Sequence, residues 1–291
     1  MLGRGYSAEE RTAALVEALP YIQRFRNAIV VVKFGGNAMI DPDLSRTFAE
    51  DIVLLRSVGL RPVVVHGGGP QIGEQLAKVG KETEFRDGLR VTDAETLDVA
   101  RMVLVGKVGR DIVGQINTHG AYAVGISGED GGLLTAEALD PELGYVGQII
   151  DVNPNIVERL LAEDLTPVIS SIGADGRGQS YNINADTVAG AIAGALRAEK
   201  VIYLTDTEGL LANVDDASSL IARTTVAELS AKLEAGEIGG GMLPKLTSCI
   251  DALSHGANNA HLLDGRIPHV LLLELFTDAG IGTMITQETT S

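Results

Sequence analysis

The sequence has no tryptophan, one cysteine and few aromatic residues of any kind, six tyrosines and five phenylalanines in 291 residues. A single cysteine, Cys249, cannot form an internal disulfide. Its neighbours Ser248, Ile250 and Ala252 mark it as a buried structural thiol rather than a nucleophile. Basic residues are also short: 23 Lys and Arg against 39 Asp and Glu leave a formal net charge of −16. So acidic a surface repels polyanions and argues against nucleic acid or an anionic membrane as a partner. Long apolar runs are missing as well. Ile29–Val32 and Val270–Leu273 are too short to span a bilayer, and the polar start, MLGRGYSAEERT, does not read as a leader. The five histidines (His66, His119, His255, His261, His269) show no zinc-ligand spacing, so no dedicated metal site is expected. A soluble, reduced, cytoplasmic protein is the expectation.

Glycine is what the chain has in excess, 35 of its 291 residues. That is roughly 12%, against about 7% in average usage. The glycines cluster at Gly35-Gly36, Gly67–Gly69, Gly131-Gly132 and Gly239–Gly241, as happens where a backbone turns sharply or approaches a ligand closely. With 45% hydrophobic residues there is ample material for a core, and the length suits one large domain or two joined lobes.

The pattern along the chain is strand, glycine turn, helix, repeated. Before it, Ser7 and Glu10 fit a capping box, and Leu15, Leu19 and Ile22 follow at helical spacing. Pro20 predicts a kink or restart in this appended helix. Ile29–Val32 and Pro62–Val65 read as buried strands, because their β-branched runs do not alternate. Helices are expected over 44–57, from Gln71, over most of 91–117 with Asp93 as N-cap, and at 185–197, 226–235 and 243–254. Further strands fall at Thr166–Ser170 and Val201–Thr205, and 131–151 reads as hairpins. Such alternation predicts an α/β fold, an open and mostly parallel αβα sandwich. Loops at the carboxyl ends of its strands should form the site. The expected division is a kinked oligomerisation helix (1–26), a substrate-binding lobe (27–198) and a nucleotide-binding lobe (199–291).

Neither familiar nucleotide fingerprint is present. There is no GxxxxGK[ST], and Gly67-x-Gly69-x-x-Ile72 and Gly239-x-Gly241-x-x-Pro244 both miss the third glycine of the dinucleotide motif. Two strand-to-glycine junctions remain, Val32-Lys33-Phe-Gly-Gly and Val65-His66-Gly-Gly-Gly-Pro70. Each sets free amides at a strand end before a helix, where an anion is favoured. Lys33 adds a cation there. Lys245, just after Pro244 at a helix start, is poorly placed for a purely structural cation, because the helix dipole disfavours it.

These junctions, with Asp87-Gly-Leu-Arg90-Val-Thr92, Asn182-Ile-Asn184-Ala-Asp186 and Gly241-Met-Leu-Pro-Lys245, resemble the N-acetylglutamate kinases of the amino-acid kinase family from about Ala28 to Ile285. The resemblance implies ATP-dependent phosphorylation of the γ-carboxylate of N-acetyl-L-glutamate, with Mg²⁺ arriving on ATP. It implies that Lys33 and Lys245 stabilise the transferring phosphoryl group and that Asp186 holds both lysines. Gly68 and Gly69 would contact the acetylglutamate, Arg90 would clamp its α-carboxylate, and Asn182 would bond its amide or carboxylate. Gly36, Asp206, Gly209, Leu211, Glu237 and Gly239 would serve ATP. Asp186 has a competing reading, a helix cap shared with Asn184; His66 reads as structural. Two rival functions stand beside this one. A sibling kinase would act on aspartate, glutamate or UMP, and a catalytically silent amino-acid sensor would share the fold.

The N-terminal helix and the C-terminal pattern resemble the arginine-sensitive branch of the same family. That branch implies a hexamer built as a trimer of dimers, and L-arginine bound by Tyr21, Lys200, His261, Glu274 and Gly280. It also leaves room for a PII-type signalling protein as a partner.

Overall fold

The computed structural model describes residues 7–86, 88–213, 216–239, 241–278 and 280–288. Asp87 of the Asp87–Thr92 motif and Gly240 of the Gly239–Gly241 cluster lie outside the described residues.

Helix α1 (Ala8–Arg24) begins at Ser7 with the complete capping box. It continues through Pro20 as one helix, so the restart expected there is absent. The proline removes only the donor for the Val16 carbonyl, and Val16 is 64% exposed, so that carbonyl remains open to water. Strand β1 (Ile29–Phe34) leads into a single 3₁₀ turn over Gly36–Met39 before α2 (Pro42–Ser57). The first glycine junction therefore opens a tight turn, not the α-helix that the pattern predicts. The second behaves as predicted: β2 (Arg61–His66) passes through Gly68, the N-cap, into α3 (Gly69–Lys78).

A two-residue hairpin, β3 (Phe85–Arg86) and β4 (Leu89–Arg90), comes next. The long helix expected over 91–117 is three pieces, α4 (Ala94–Arg101), a π-helical stretch over Met102–Val108, and α5 (Gly109–Asn117). The chain continues through β5 (Ala123–Ser127), β6 (Leu134–Ala138), β7 (Gly147–Val152), α6 (Asn155–Ala162), β8 (Thr166–Ser170), β9 (Ile172–Ala174) and β10 (Ser180–Asn182). Then come α7 (Ala185–Ala195), β11 (Lys200–Thr205), β12 (Arg223–Thr225), α8 (Val226–Glu234), α9 (Met242–Ser254), β13 (Asn259–Asp264), α10 (Val270–Phe276) and β14 (Thr283–Thr286).

Eight strands form the main sheet in the order β12-β14-β13-β11-β1-β2-β8-β5, parallel except where β14 meets β13. A smaller sheet, β10-β9-β6-β7, contains the antiparallel β6–β7 pair in the region read as hairpins. Two apolar layers cover the main sheet. Val30, Val32, Phe34 and Val64 pack toward α2, α3, α5 and α10. Val31, Val63, Val65, Val201 and Tyr203 pack toward α6, α7 and α9. Strand residues alternate faces, so Lys33 follows Val31 toward α7. The strand order reverses at β1, which has β2 on one side and β11 on the other. In an open sheet of this kind the crevice at that reversal is where ligands bind. Among the described residues no helix is long and apolar enough to cross a membrane.

Candidate active site

The site is built on one buried carboxylate. Asn184 caps α7, its Oδ1 accepting from the amides of Asp186 at 2.8 Å and Thr187 at 3.3 Å. With capping done by Asn184, the Asp186 side chain is free for other work. It is 4% exposed, and it meets two lysines. Lys33 Nζ lies 3.0 Å from Oδ1, and Lys245 Nζ donates to Oδ2 at 2.8 Å. Burial by itself would raise this carboxyl, but the two ammonium groups together outweigh it and hold Asp186 below the usual carboxylate range.

Lys245 reaches this point because α9 lies hard against α7. A Cβ at Gly190 would sit 2.6 Å from the Ser248 carbonyl oxygen, and one at Gly194 would sit 2.7 Å from His255 Cβ. Two glycines one turn apart therefore let the helices approach closely, which is what their lack of a side chain permits.

In front of Lys33 and Asp186 is a cavity of about 210 Å³. Gly36, Gly68, Gly69, Arg90 and Asn182 all line it. Arg90 is 8% exposed, and its fork is already held on the protein side, by Thr83 Oγ1 at 2.8 Å and the Gly69 carbonyl at 2.8 Å. Its guanidinium also lies over the Phe85 ring, 4.7 Å from the centroid. A cation fixed on three sides next to a row of glycine amides suits an anion with a carboxylate at one end.

The five remaining positions expected to serve ATP lie outside this cavity. Asp206 abuts it: a Cβ at Gly36, whose φ is +68°, would sit 2.9 Å from Asp206 Oδ2. Gly209 has φ +148° and packs against Thr283, while Leu211 bridges to Leu220. Glu237 and Gly239 are exposed, and Glu237 pairs with Lys232 at 3.1 Å.

His66 is fully buried behind the glycine turn, and burial pushes its imidazole down to about 4. It is therefore neutral near pH 7, with Nδ1 3.0 Å from the Gly67 carbonyl oxygen.

A second cavity, about 340 Å³, opens between the end of α1 and the far end of the sheet. Tyr21, Lys200, Glu274 and Gly280 line it. Lys200 donates to Glu274 Oε1 at 2.8 Å, and His261 Nδ1 is 3.0 Å from the same oxygen but fully buried beneath the cavity floor. Burial holds His261 below its ordinary value, leaving Lys200 as the cation facing Glu274. The five expected effector residues are thus together, four on the wall and one behind it.

Sequence reasoning missed several parts of the main cavity. Phe85, Leu104 and Ser171 line it, and Thr83 orients Arg90. Leu104 arrives through the π-helical stretch, which presses it so close that a Cβ at Gly68 would be 2.7 Å from its Cδ2. Gly106 and Gly109 inside a continuous helical period were the available signal of irregularity.

The chain belongs to the amino acid kinase family, whose model matches residues 28–264. The acetylglutamate kinase of Corynebacterium urealyticum is 53% identical, over 98% of this chain and 95% of its own. Identity of that extent puts the chain in the acetylglutamate kinase group of the family. Two solved structures are also similar, both of N-acetylglutamate synthase from Neisseria gonorrhoeae. One, complexed with coenzyme A and N-acetyl-glutamate, has a TM-score of 0.83 at 27% identity, covering 96% of this chain and 64% of that one. The other, complexed with coenzyme A and L-arginine, has a TM-score of 0.78 at 26% identity over 95% of this chain and 65% of that one.

Proposed function

We propose that the chain transfers the γ-phosphoryl group of ATP to the side-chain carboxylate of N-acetyl-L-glutamate. The products are N-acetyl-L-glutamyl 5-phosphate and ADP, as a step of arginine biosynthesis in the cytoplasm. The observation that carries this reading is the pair of ammonium groups on Asp186 at the rim of a cavity lined by glycines and Arg90. Joining a carboxylate to a phosphoryl group brings two anions together, so catalysis consists mainly of converging positive charge and of positioning. Lys33 and Lys245 supply the charge, and Asp186 keeps both aimed at one point. Gly68, Gly69, Arg90 and Asn182 hold the acetylglutamate within residues 27–198. Asp206, Gly209, Leu211, Glu237 and Gly239, with Gly36 at the phosphates, hold the nucleotide against residues 199–291. The attacking carboxylate is ionised at neutral pH and needs no base. Mg²⁺ bound to ATP neutralises phosphate charge, and its ligands in this reading are phosphate oxygens and water.

Incubation with ATP, Mg²⁺ and a panel of acids, with acyl phosphate trapped as hydroxamate, tests the assignment. Product from acetylglutamate alone supports it. Product from aspartate or glutamate, ADP release with UMP, or no product with any acceptor favours a sibling kinase or a silent sensor instead.

The second cavity supports L-arginine as a feedback inhibitor. Glu274 suits a guanidinium or ammonium group and Lys200 a carboxylate, both at the edge of α1. Leu15, Val16 and Leu19 on that helix are 72%, 64% and 48% exposed, an apolar stripe that suits packing against another subunit in a hexamer. A PII-type signalling protein is the further partner in this reading.

A further inference from the structure

Arg90 and Asn182 stand on different elements, the β3–β4 hairpin and the β9–β10 pair, and nothing in the sequence says how they keep a fixed spacing. Thr92 lies between them. It is fully buried and does not line the cavity. Its Oγ1 donates to the Arg90 carbonyl at 2.7 Å and accepts from Asn182 Nδ2 at 3.3 Å. A hydroxyl has one proton, and here the carbonyl takes it. Only lone pairs remain for Asn182, so the carboxamide must turn its NH₂ end toward Thr92.

The main chain extends this link. Thr92 donates to the Leu143 carbonyl at 3.0 Å, Tyr145 donates to the Thr92 carbonyl at 2.7 Å, and Asn182 donates to the Tyr145 carbonyl at 2.9 Å. Gly144, at φ +67°, makes the approach possible, since a Cβ there would sit 2.4 Å from the Thr92 carbonyl oxygen. The loop before β7 is thus laced between the two sides of the pocket, with Thr92 as the common partner.

We infer that Thr92 is a positioning residue for the acceptor: its hydroxyl joins Arg90 and Asn182 into one unit and sets which way the Asn182 carboxamide faces. The inference rests on the reading that Arg90 and Asn182 hold acetylglutamate. Thr92→Val keeps the shape and removes the hydroxyl, leaving the Arg90 carbonyl and the Asn182 amide without their buried partner.

The test compares initial rates of wild type, Thr92→Val and Thr92→Ser with each substrate varied. Thr92→Val should raise KM for acetylglutamate about tenfold, the size expected for one buried hydroxyl bridge. KM for ATP should stay at the wild-type value and kcat should change far less than KM. Thr92→Ser, which restores the hydroxyl, should bring KM back. In an Asn182→Ala background the effect of Thr92→Val on KM should shrink, because one of its two partners is gone. Should Thr92→Val not fold, Thr92→Ala against Thr92→Ser makes the same comparison. An unchanged KM in a folded variant overturns the inference, even if its melting temperature falls, and so does a Thr92→Ser variant that fails to recover. A wild type that gives no turnover with acetylglutamate overturns the functional reading itself, an outcome separable from the other two.

Discussion

Neutralising Asp186 is the sharpest probe of the charge centre. Asp186→Asn keeps the side-chain volume and removes the one negative charge that both lysines share. Their nitrogens reach its two oxygens at 3.0 and 2.8 Å. The ammonium groups therefore stand roughly 5 Å apart, and at an effective dielectric near 20 they repel by about 3 kcal/mol. In wild type the carboxylate offsets that repulsion and fixes both directions. In the variant the offset is lost in a site where Lys33 is 8% exposed and solvent screens little. Lysines that splay apart no longer converge on the phosphoryl group. If most of that repulsion appears in the barrier, kcat falls on the order of 10²-fold. The assay is ADP release at saturating acetylglutamate and ATP, with circular dichroism confirming the fold. A double variant adding Lys33→Met provides the control: with one ammonium gone the repulsion is gone too, so the two losses should combine to less than their product. A folded Asp186→Asn enzyme within about threefold of wild-type kcat would refute the reasoning.

Arg90→Lys replaces a fork held on three sides by a point charge, so KM for acetylglutamate should rise roughly tenfold or more while KM for ATP stays put. An effect confined to ATP would show that Arg90 serves the other substrate. L-Arginine should inhibit wild type sigmoidally, since it acts by preferring one conformation. Glu274→Ala and a chain lacking residues 1–25 should lose that response, and light scattering should show the truncated chain smaller than a hexamer. Full activity in millimolar arginine would end the effector reading. Stability against pH carries two opposed slopes. Burial raises the Asp51 carboxyl from 3.8 to about 6, against the pull of His269 at 2.6 Å. The folded state then keeps a proton that the unfolded chain releases, so this group costs stability as pH rises from about 4 to about 6. Burial lowers His66 from 6.5 to about 4, so the unfolded chain binds the extra proton and stability is lost as pH falls through that window. Asp51→Asn should remove the first slope and leave the acid loss steeper in urea titrations between pH 4.5 and 7. An unchanged profile would contradict the burial argument.

Much of the site could be read along the chain because much of it is local. A β-branched run ending in Lys33 and two glycines already specifies a strand, a turn and a cation at its end. The NxNAD segment carries both its cap and its charge within three residues, and only the division of labour had to be seen: Asn184 caps, which releases Asp186. Local patterns also misled. The apolar period through 91–117 looks the same whether a turn is α or π, so only Gly106 and Gly109 mark the shift that presses Leu104 onto Gly68. Pro20 does not restart α1, because no residue of that helix is buried and the bond it removes, at Val16, faces solvent. Strand β13 is an interior strand of the sheet, between β11 and β14, yet its sequence Asn-Ala-His-Leu-Leu-Asp has no β-branched residue to mark it.

By itself, then, the sequence determined the layer architecture, the absence of both common nucleotide fingerprints, and the residue types available to handle an anion. Those follow from side-chain period, turn chemistry and charge, all properties of neighbouring residues. Tertiary structure decided which of them meet. Lys33 and Lys245 share one carboxylate only because Gly190 and Gly194 let α9 lie against α7. Arg90 and Asn182 face one cavity because the β3–β4 hairpin, the loop before β7 and β10 are laced together there, with Thr92 bonded to both residues. His261 went behind the wall, not on it, because β13 turns that side chain into the core. Contacts between distant segments depend on close packing across the whole sheet, and no stretch of the chain contains that packing in itself.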